Sequence, residues 1–93
     1  MDFEWDDRKF ALNKQRHGID FRRASTIFDG RDIVRVESPR GNEMRWIATG
    51  QLEGKMWSVV FTRRGENIRI ISARRARKNE KERFYRSVFG RGD

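Results

Sequence analysis

The feature that most constrains how this chain folds is a change of hydrophobic period about a third of the way along. Phe21, Ala24, Ile27 and Phe28 recur at the 3.6-residue spacing of a helix. After Gly30 the pattern becomes four short apolar runs, residues 33–36, 45–49, 56–62 and 68–73, which read as strands. Glu53-Gly54 and Gly65-Glu66-Asn67 leave room only for tight turns between the later runs, so these strands are expected to form an antiparallel meander. The single proline, Pro39, falls in the turn-like stretch Ser38-Pro39-Arg40-Gly41-Asn42, and no linker or repeat interrupts the chain.

Local signals place the helices around this meander. Residues 3–5 read as a short strand. Asp6 is an N-cap for a helix over Asp7–His17, which Gly18 ends at the position needing a left-handed backbone. Asp20 caps a second helix, closed by Gly30. Asn79-Glu80-Lys81-Glu82 resembles a capping box opening a third helix, with Phe84, Val88 and Phe89 on its apolar side and Tyr85 beside them. The expected fold class is α+β, a single domain over residues 1–93. A compact antiparallel sheet in the order β-α-α-β-β-β-β-α carries helices on one face and leaves the other for a ligand.

The charge distribution indicates which ligand. Between Arg63 and Arg91 lie eleven Lys or Arg against Glu66, Glu80 and Glu82, which accounts for the whole formal net charge of +8. Arginine forks match phosphate oxygens in pairs and remain charged at any relevant pH, so nucleic acid is the first partner indicated. Arg69 is the most informative member, because it sits inside a strand between Ile68 and Ile70. Simple alternation puts Arg69, Ile71 and Ala73 on one face and Ile68, Ile70, Ser72 and Arg74 on the other. Arg64, Arg69 and Arg74 are held by the sheet and are the candidates for chemistry on a phosphate. Lys9, Arg45, Arg75, Arg77 and Lys78 are candidates for RNA binding.

Two residues are candidates for moving a proton. His17 is the only histidine, although its place in the last helical turn equally suits the helix dipole. Tyr85 is the only tyrosine and follows the basic turn; its alternative is a helix residue with its ring in the core. Trp46 and Trp57 could stack on bases, but large strand aromatics more commonly belong to the core. Asp2, Glu4 and Asp6 alternate as a Mg²⁺ set would, yet Asp6 is better explained as a cap, so no metal site is expected. Absence of cysteine excludes disulfides and thiol nucleophiles, and no Walker loop, GxSxG or HExxH is present. No cofactor is expected. RNA cleavage fits what remains, because the substrate's own 2′-OH is the nucleophile. No apolar run approaches the roughly 20 residues of a membrane span, and the acidic opening is unlike a signal peptide, so a cytoplasmic protein without a membrane partner is expected.

Several of these residues together resemble the BrnT-type toxins. They are Phe3-Glu4-Trp5-Asp6, Lys9, Asn13, His17-Gly18, the Phe21, Ala24 and Phe28-Asp29 stretch, Arg45, Gly50, Val59-Val60-Phe61-Thr62 and Arg69-Ile70-Ile71-Ser72-Ala73-Arg74. The resemblance implies a RelE-like ribonuclease fold, RNA cleavage and growth inhibition. It also implies neutralisation by a BrnA-type antitoxin with a ribbon-helix-helix DNA-binding domain, through which alone the toxin would reach operator DNA. Carried over by position, Arg64, Arg69, Arg74, His17 and Tyr85 fall on polar positions of the family pattern. Arg63 departs from it, standing where many relatives carry an acidic residue. The rival from another class is a non-catalytic RNA- or DNA-binding module, for which the basic patch alone suffices.

Overall fold

The computed structural model describes residues 2–90. Strand β1 (Phe3–Glu4) leads into helix α1 (Asp7–His17), then α2 (Phe21–Ser25) with a 3₁₀ turn at Thr26–Phe28. Strands β2 (Ile33–Glu37), β3 (Trp46–Leu52), β4 (Lys55–Arg64) and β5 (Asn67–Arg75) follow, and helix α3 (Lys78–Phe89) ends the fold. The α+β class and element order are those expected from the periodicity.

The caps of α1 act as anticipated. The Asp6 carboxylate accepts from the Arg8 backbone N–H at 2.9 Å, and Gly18 takes φ 79° while its N–H reaches the Lys14 carbonyl at 2.9 Å. Residues other than glycine rarely adopt that backbone conformation, which is why the helix stops there. Helix α3 begins slightly earlier than expected. Arg77 is its N-cap, and Glu80, as the third helical residue, accepts the Arg77 N–H at 2.8 Å, so the box lies two residues before Asn79.

The sheet runs in the order β1-β5-β4-β3-β2. Strands β2 to β5 form the antiparallel meander, whereas β1 joins β5 in parallel, pairing Phe3 with Ile68 and Glu4 with Arg69. The sheet is therefore mixed. Parallel pairing needs a crossover, and everything from α1 to β4 supplies one.

Helices α1 and α2 cover one face as expected. Phe21, Ala24 and Ile27 are fully buried there against Ala48, Trp57, Val59, Phe61, Ile68, Ile70 and Ala73. Phe28 packs edge-on to Phe61 at 5.0 Å, and Trp46 stacks on Phe61 at 5.8 Å. Both strand tryptophans thus belong to this core and are not presented for base stacking. Helix α3 instead lies over the β2–β3 end of the opposite face, where Phe84 and Val88 pack with Ala76, Met56 and Val34. The helices are split between the two faces because the Arg77 turn carries the chain across the sheet after β5. What stays open is the part of the second face nearest β4 and β5.

Beyond β1, the outer edge of β5 has no strand partner among the described residues. Asn13, a buried residue of α1, closes it with its side chain. Its Nδ2 donates to the carbonyls of Ile19 at 2.8 Å and Ala73 at 2.9 Å, and its Oδ1 accepts the Ala73 N–H at 3.2 Å. The amide takes the place of a neighbouring strand and blocks edge-to-edge pairing.

Candidate active site

The open face owes its composition to a β-bulge. Opposite β4, Val60 pairs with Ser72 and Phe61 with Ile70, so Ile71 is an extra residue in β5. The bulge resets the alternation: Ile68, Ile70 and Ala73 face the α1–α2 core, while Arg69 and Arg74 both face the open side. The grouping expected from strict alternation, with Arg69 and Arg74 on opposite faces, is therefore corrected. Arg64 reaches the same face from β4.

A cleft of about 350 Å³ occupies this face. Ile47, Val60 and Ile71 line it with apolar surface, and the guanidiniums of Arg40, Arg45, Arg74 and Arg77 line it with charge. Two smaller hollows continue it. One of about 240 Å³ shares Ile71 and Ser72 with the cleft and adds Lys9, Arg16 and His17 from α1. The other, about 150 Å³, shares Ile47 and Arg77 and adds Arg83 from α3. Through these shared residues they make one basic groove running from α3 over the sheet to α1, with the bulge residue Ile71 where the cleft meets its α1 extension.

Each sheet-held arginine here has a carboxylate partner. Arg74 makes a two-pronged pair with Glu80 at 2.8 and 2.9 Å. Glu80 also accepts from Ser58 Oγ at 2.9 Å, and Ser58 is in turn 2.7 Å from Thr49 Oγ1. Burial pushes the Glu80 carboxyl up, but the bonds from Arg74, the Arg77 N–H and Ser58 outweigh it and hold it at about 2. Arg45 donates to Glu43 at 2.5 Å, which holds the Glu43 carboxyl below its usual range against partial burial; the charges of Arg45, Arg64 and Arg69 add to the effect. Arg69 Nη1 lies 3.3 Å and Arg64 Nε 3.8 Å from the same oxygen of Glu4.

Of the sequence candidates, Arg45, Arg74 and Arg77 thus line the cleft, Lys9 and His17 line its extension, and Arg64 and Arg69 stand on the same sheet face beside these hollows without lining any of them. Three residues are not brought in. Arg75 lies on the other face, 5.6 Å over the Trp57 ring. Lys78 is exposed at the start of α3 and lines none of these hollows. Tyr85 is half exposed and stacks on Phe89 at 5.9 Å, so the expected neighbourhood of arginines is replaced by an aromatic one. Asp6 is engaged with Arg8 as the cap of α1 and does not join Asp2 and Glu4 in a cluster. Another hollow, about 360 Å³, lies elsewhere, between Asp29, Arg31 and the end of α3, and the Arg31–Asp29 pair at 2.7 Å sets two of its charges against each other.

Sequence reasoning missed Arg40 and the roles of the carboxylates Glu4, Glu43 and Glu80. Only Glu80 left a usable signal, as the acidic member of a capping motif. No helix of the described residues is long and apolar enough to cross a membrane. No curated protein matches the chain. Residues 5–80 match the family model described as the ribonuclease toxin, BrnT, of type II toxin-antitoxin systems. With that match covering most of the chain and the arginine-lined groove on its open sheet face, the protein belongs to the BrnT family of type II toxin–antitoxin ribonuclease toxins, and its family implies an antitoxin partner.

Proposed function

We propose that the protein is a metal-independent endoribonuclease that cleaves single-stranded RNA laid across the basic groove. The observation carrying this reading is the bulge at Ile71, which gathers Arg69 and Arg74 with Arg45 and Arg64 on one open face. Guanidiniums fixed on strands can neutralise a pentacoordinate phosphate without reorganising, which is the largest contribution such a site makes. Arg69 and Arg74 stand five residues apart along β5, about 15 Å of extended chain, too far to grip one phosphate. Arg64 and Arg69 would hold the scissile phosphate, and Arg74 with Arg40 and Arg45 a phosphate further along the strand. The RNA would continue over Ile71 and Ser72 towards the hollow lined by Lys9 and His17.

The antitoxin in this reading is of the BrnA type, and it silences the toxin by covering the groove. A cytoplasmic setting and growth inhibition follow from an RNA target. Incubation of the purified protein with total RNA in EDTA tests the proposal. Cleavage is expected, and Arg69→Ala should lower its rate at least 100-fold while circular dichroism stays unchanged. Binding without cleavage under every condition would leave a non-catalytic RNA-binding module and sink the enzyme reading.

A further inference from the structure

The arginines account for phosphate binding, but the face around Arg64 and Arg69 also needs a group that accepts the 2′-OH proton. His17 borders the hollow beyond Ile71 and Ser72, a few residues along β5 from Arg69. Tyr85 stacks on Phe89, outside the groove. Three carboxylates accompany the sheet-held arginines, and their bonding separates them. Glu80 is saturated, accepting from Ser58, from both prongs of Arg74 and from the Arg77 N–H. Glu43 is drawn onto Arg45 at 2.5 Å. Glu4 is held more loosely. Its side chain is 33% exposed, the nearest contact of each arginine is to Oε1, at 3.3 and 3.8 Å, and Oε2 accepts no hydrogen bond among the described residues.

We infer that Glu4 is the general base of the cleavage reaction, an inference that rests on the ribonuclease reading above. The parallel pairing of β1 with β5 sets Glu4 directly beside Arg69, so a phosphate bridging Arg64 and Arg69 brings its ribose up to the free oxygen of this carboxylate. In the step, the 2′-O–H proton passes to Glu4 and the oxygen's electron pair forms a bond to phosphorus. The P–O5′ bond breaks with its pair on the 5′-oxygen, which takes a proton from water. Glu4 then returns its proton to solvent. The products are a 2′,3′-cyclic phosphate and a free 5′-hydroxyl.

Glu4→Gln isolates the role, because the amide keeps an oxygen for Arg69 but cannot take a proton. Rates of cleavage of a short RNA are compared with affinity for its uncleavable 2′-O-methyl analogue. Glu4→Gln is expected to cleave at least 100-fold more slowly with affinity unchanged within twofold, and Glu4→Asp to recover at least tenfold of that loss. A Gln variant within threefold of the wild-type rate, or one whose affinity falls in step with its rate, overturns the inference and leaves Glu4 a holder of Arg69. A wild-type protein that cleaves no RNA removes the ribonuclease reading and this inference together, whereas the Gln results bear on Glu4 alone.

Discussion

Replacing Glu80 by Gln is the perturbation whose cost is best determined by the structure. The side chain is 8% exposed and that of Arg74 17%, so the pair is largely withdrawn from water. Glutamine keeps the shape but turns one acceptor oxygen into a donor, so Arg74 keeps at most one of its two prongs and loses its counter-charge. Two routes give the magnitude. Removing one partner of a buried pair costs about 3–5 kcal/mol. The displacement of the carboxyl from 4.5 to about 2 corresponds to about 3 kcal/mol in favour of the folded state.

The sign with pH follows from the same displacement. Because the folded carboxyl is the more acidic, its contribution is full above about pH 5 and is lost as pH falls through 4.5 towards 2. Urea unfolding followed by circular dichroism, at pH 7 and at steps down to pH 3, measures both. Glu80→Gln should be less stable than wild type by about 3 kcal/mol at pH 7, roughly 15 °C in Tm for a domain of this size, and the gap should hold to about pH 5 and narrow at each step below it. A variant within 1 kcal/mol of wild type at pH 7, or a gap that does not change with pH, would refute the network as a stabilising unit.

Other positions carry sharper local tests. Asn13→Ala leaves the Ala73 N–H and two carbonyls without partners in a buried place and should cost roughly 2–4 kcal/mol, with faster amide hydrogen exchange at Ala73. Unchanged exchange there would mean that water replaces the amide. Gly50→Ala would set a Cβ 2.8 Å from Ile33 Cγ2 and 3.0 Å from Ile27 Cδ1, and thermal melts should show it destabilised by about 1–3 kcal/mol. Tyr85→Phe removes a hydroxyl lying outside the groove, so the rate of RNA cleavage should stay within twofold; a loss of 100-fold would bring Tyr85 into the chemistry and require the proposed site to be redrawn.

What could be read from sequence was what is decided within a few residues. The bounds of α1 come from Asp6 and Gly18, both acting on their own turn, and the β3–β4 and β4–β5 connections come from short turn segments. The bulge left no such mark. Nothing in Arg69-Ile70-Ile71-Ser72-Ala73-Arg74 distinguishes an extra residue from regular alternation, because the choice is made by β4, which needs Phe61 opposite Ile70 and Val59 opposite Ala73 to fill the core. The partners of the arginines were hidden for a related reason. Glu4 and Arg69 are 65 positions apart in sequence and meet only because β1 inserts parallel to β5. Arg63 illustrates the converse: it adjoins Arg64 in sequence, yet pairs with Ile68 and so is turned to the opposite side of the sheet.

This pairing also changes what the charge count means. Arg45, Arg69 and Arg74 each stand against a carboxylate, so the sheet-held part of the groove is far less positive than its arginines suggest. The cations of this region that make no ion pair among the described residues are Arg77, Lys78, Lys81, Arg83 and Arg86 on the turn and helix, with Arg40, Lys9 and Arg16 along the hollows. Attraction over a distance therefore comes largely from α3 and its approach, where these unpaired cations are densest, within the roughly 8 Å reach of a charge in physiological salt. The sheet arginines act at contact, where their carboxylates have already fixed the direction of each guanidinium. Salt should then weaken RNA association far more than it weakens cleavage of RNA already bound, since the two depend on different sets of charges in one groove.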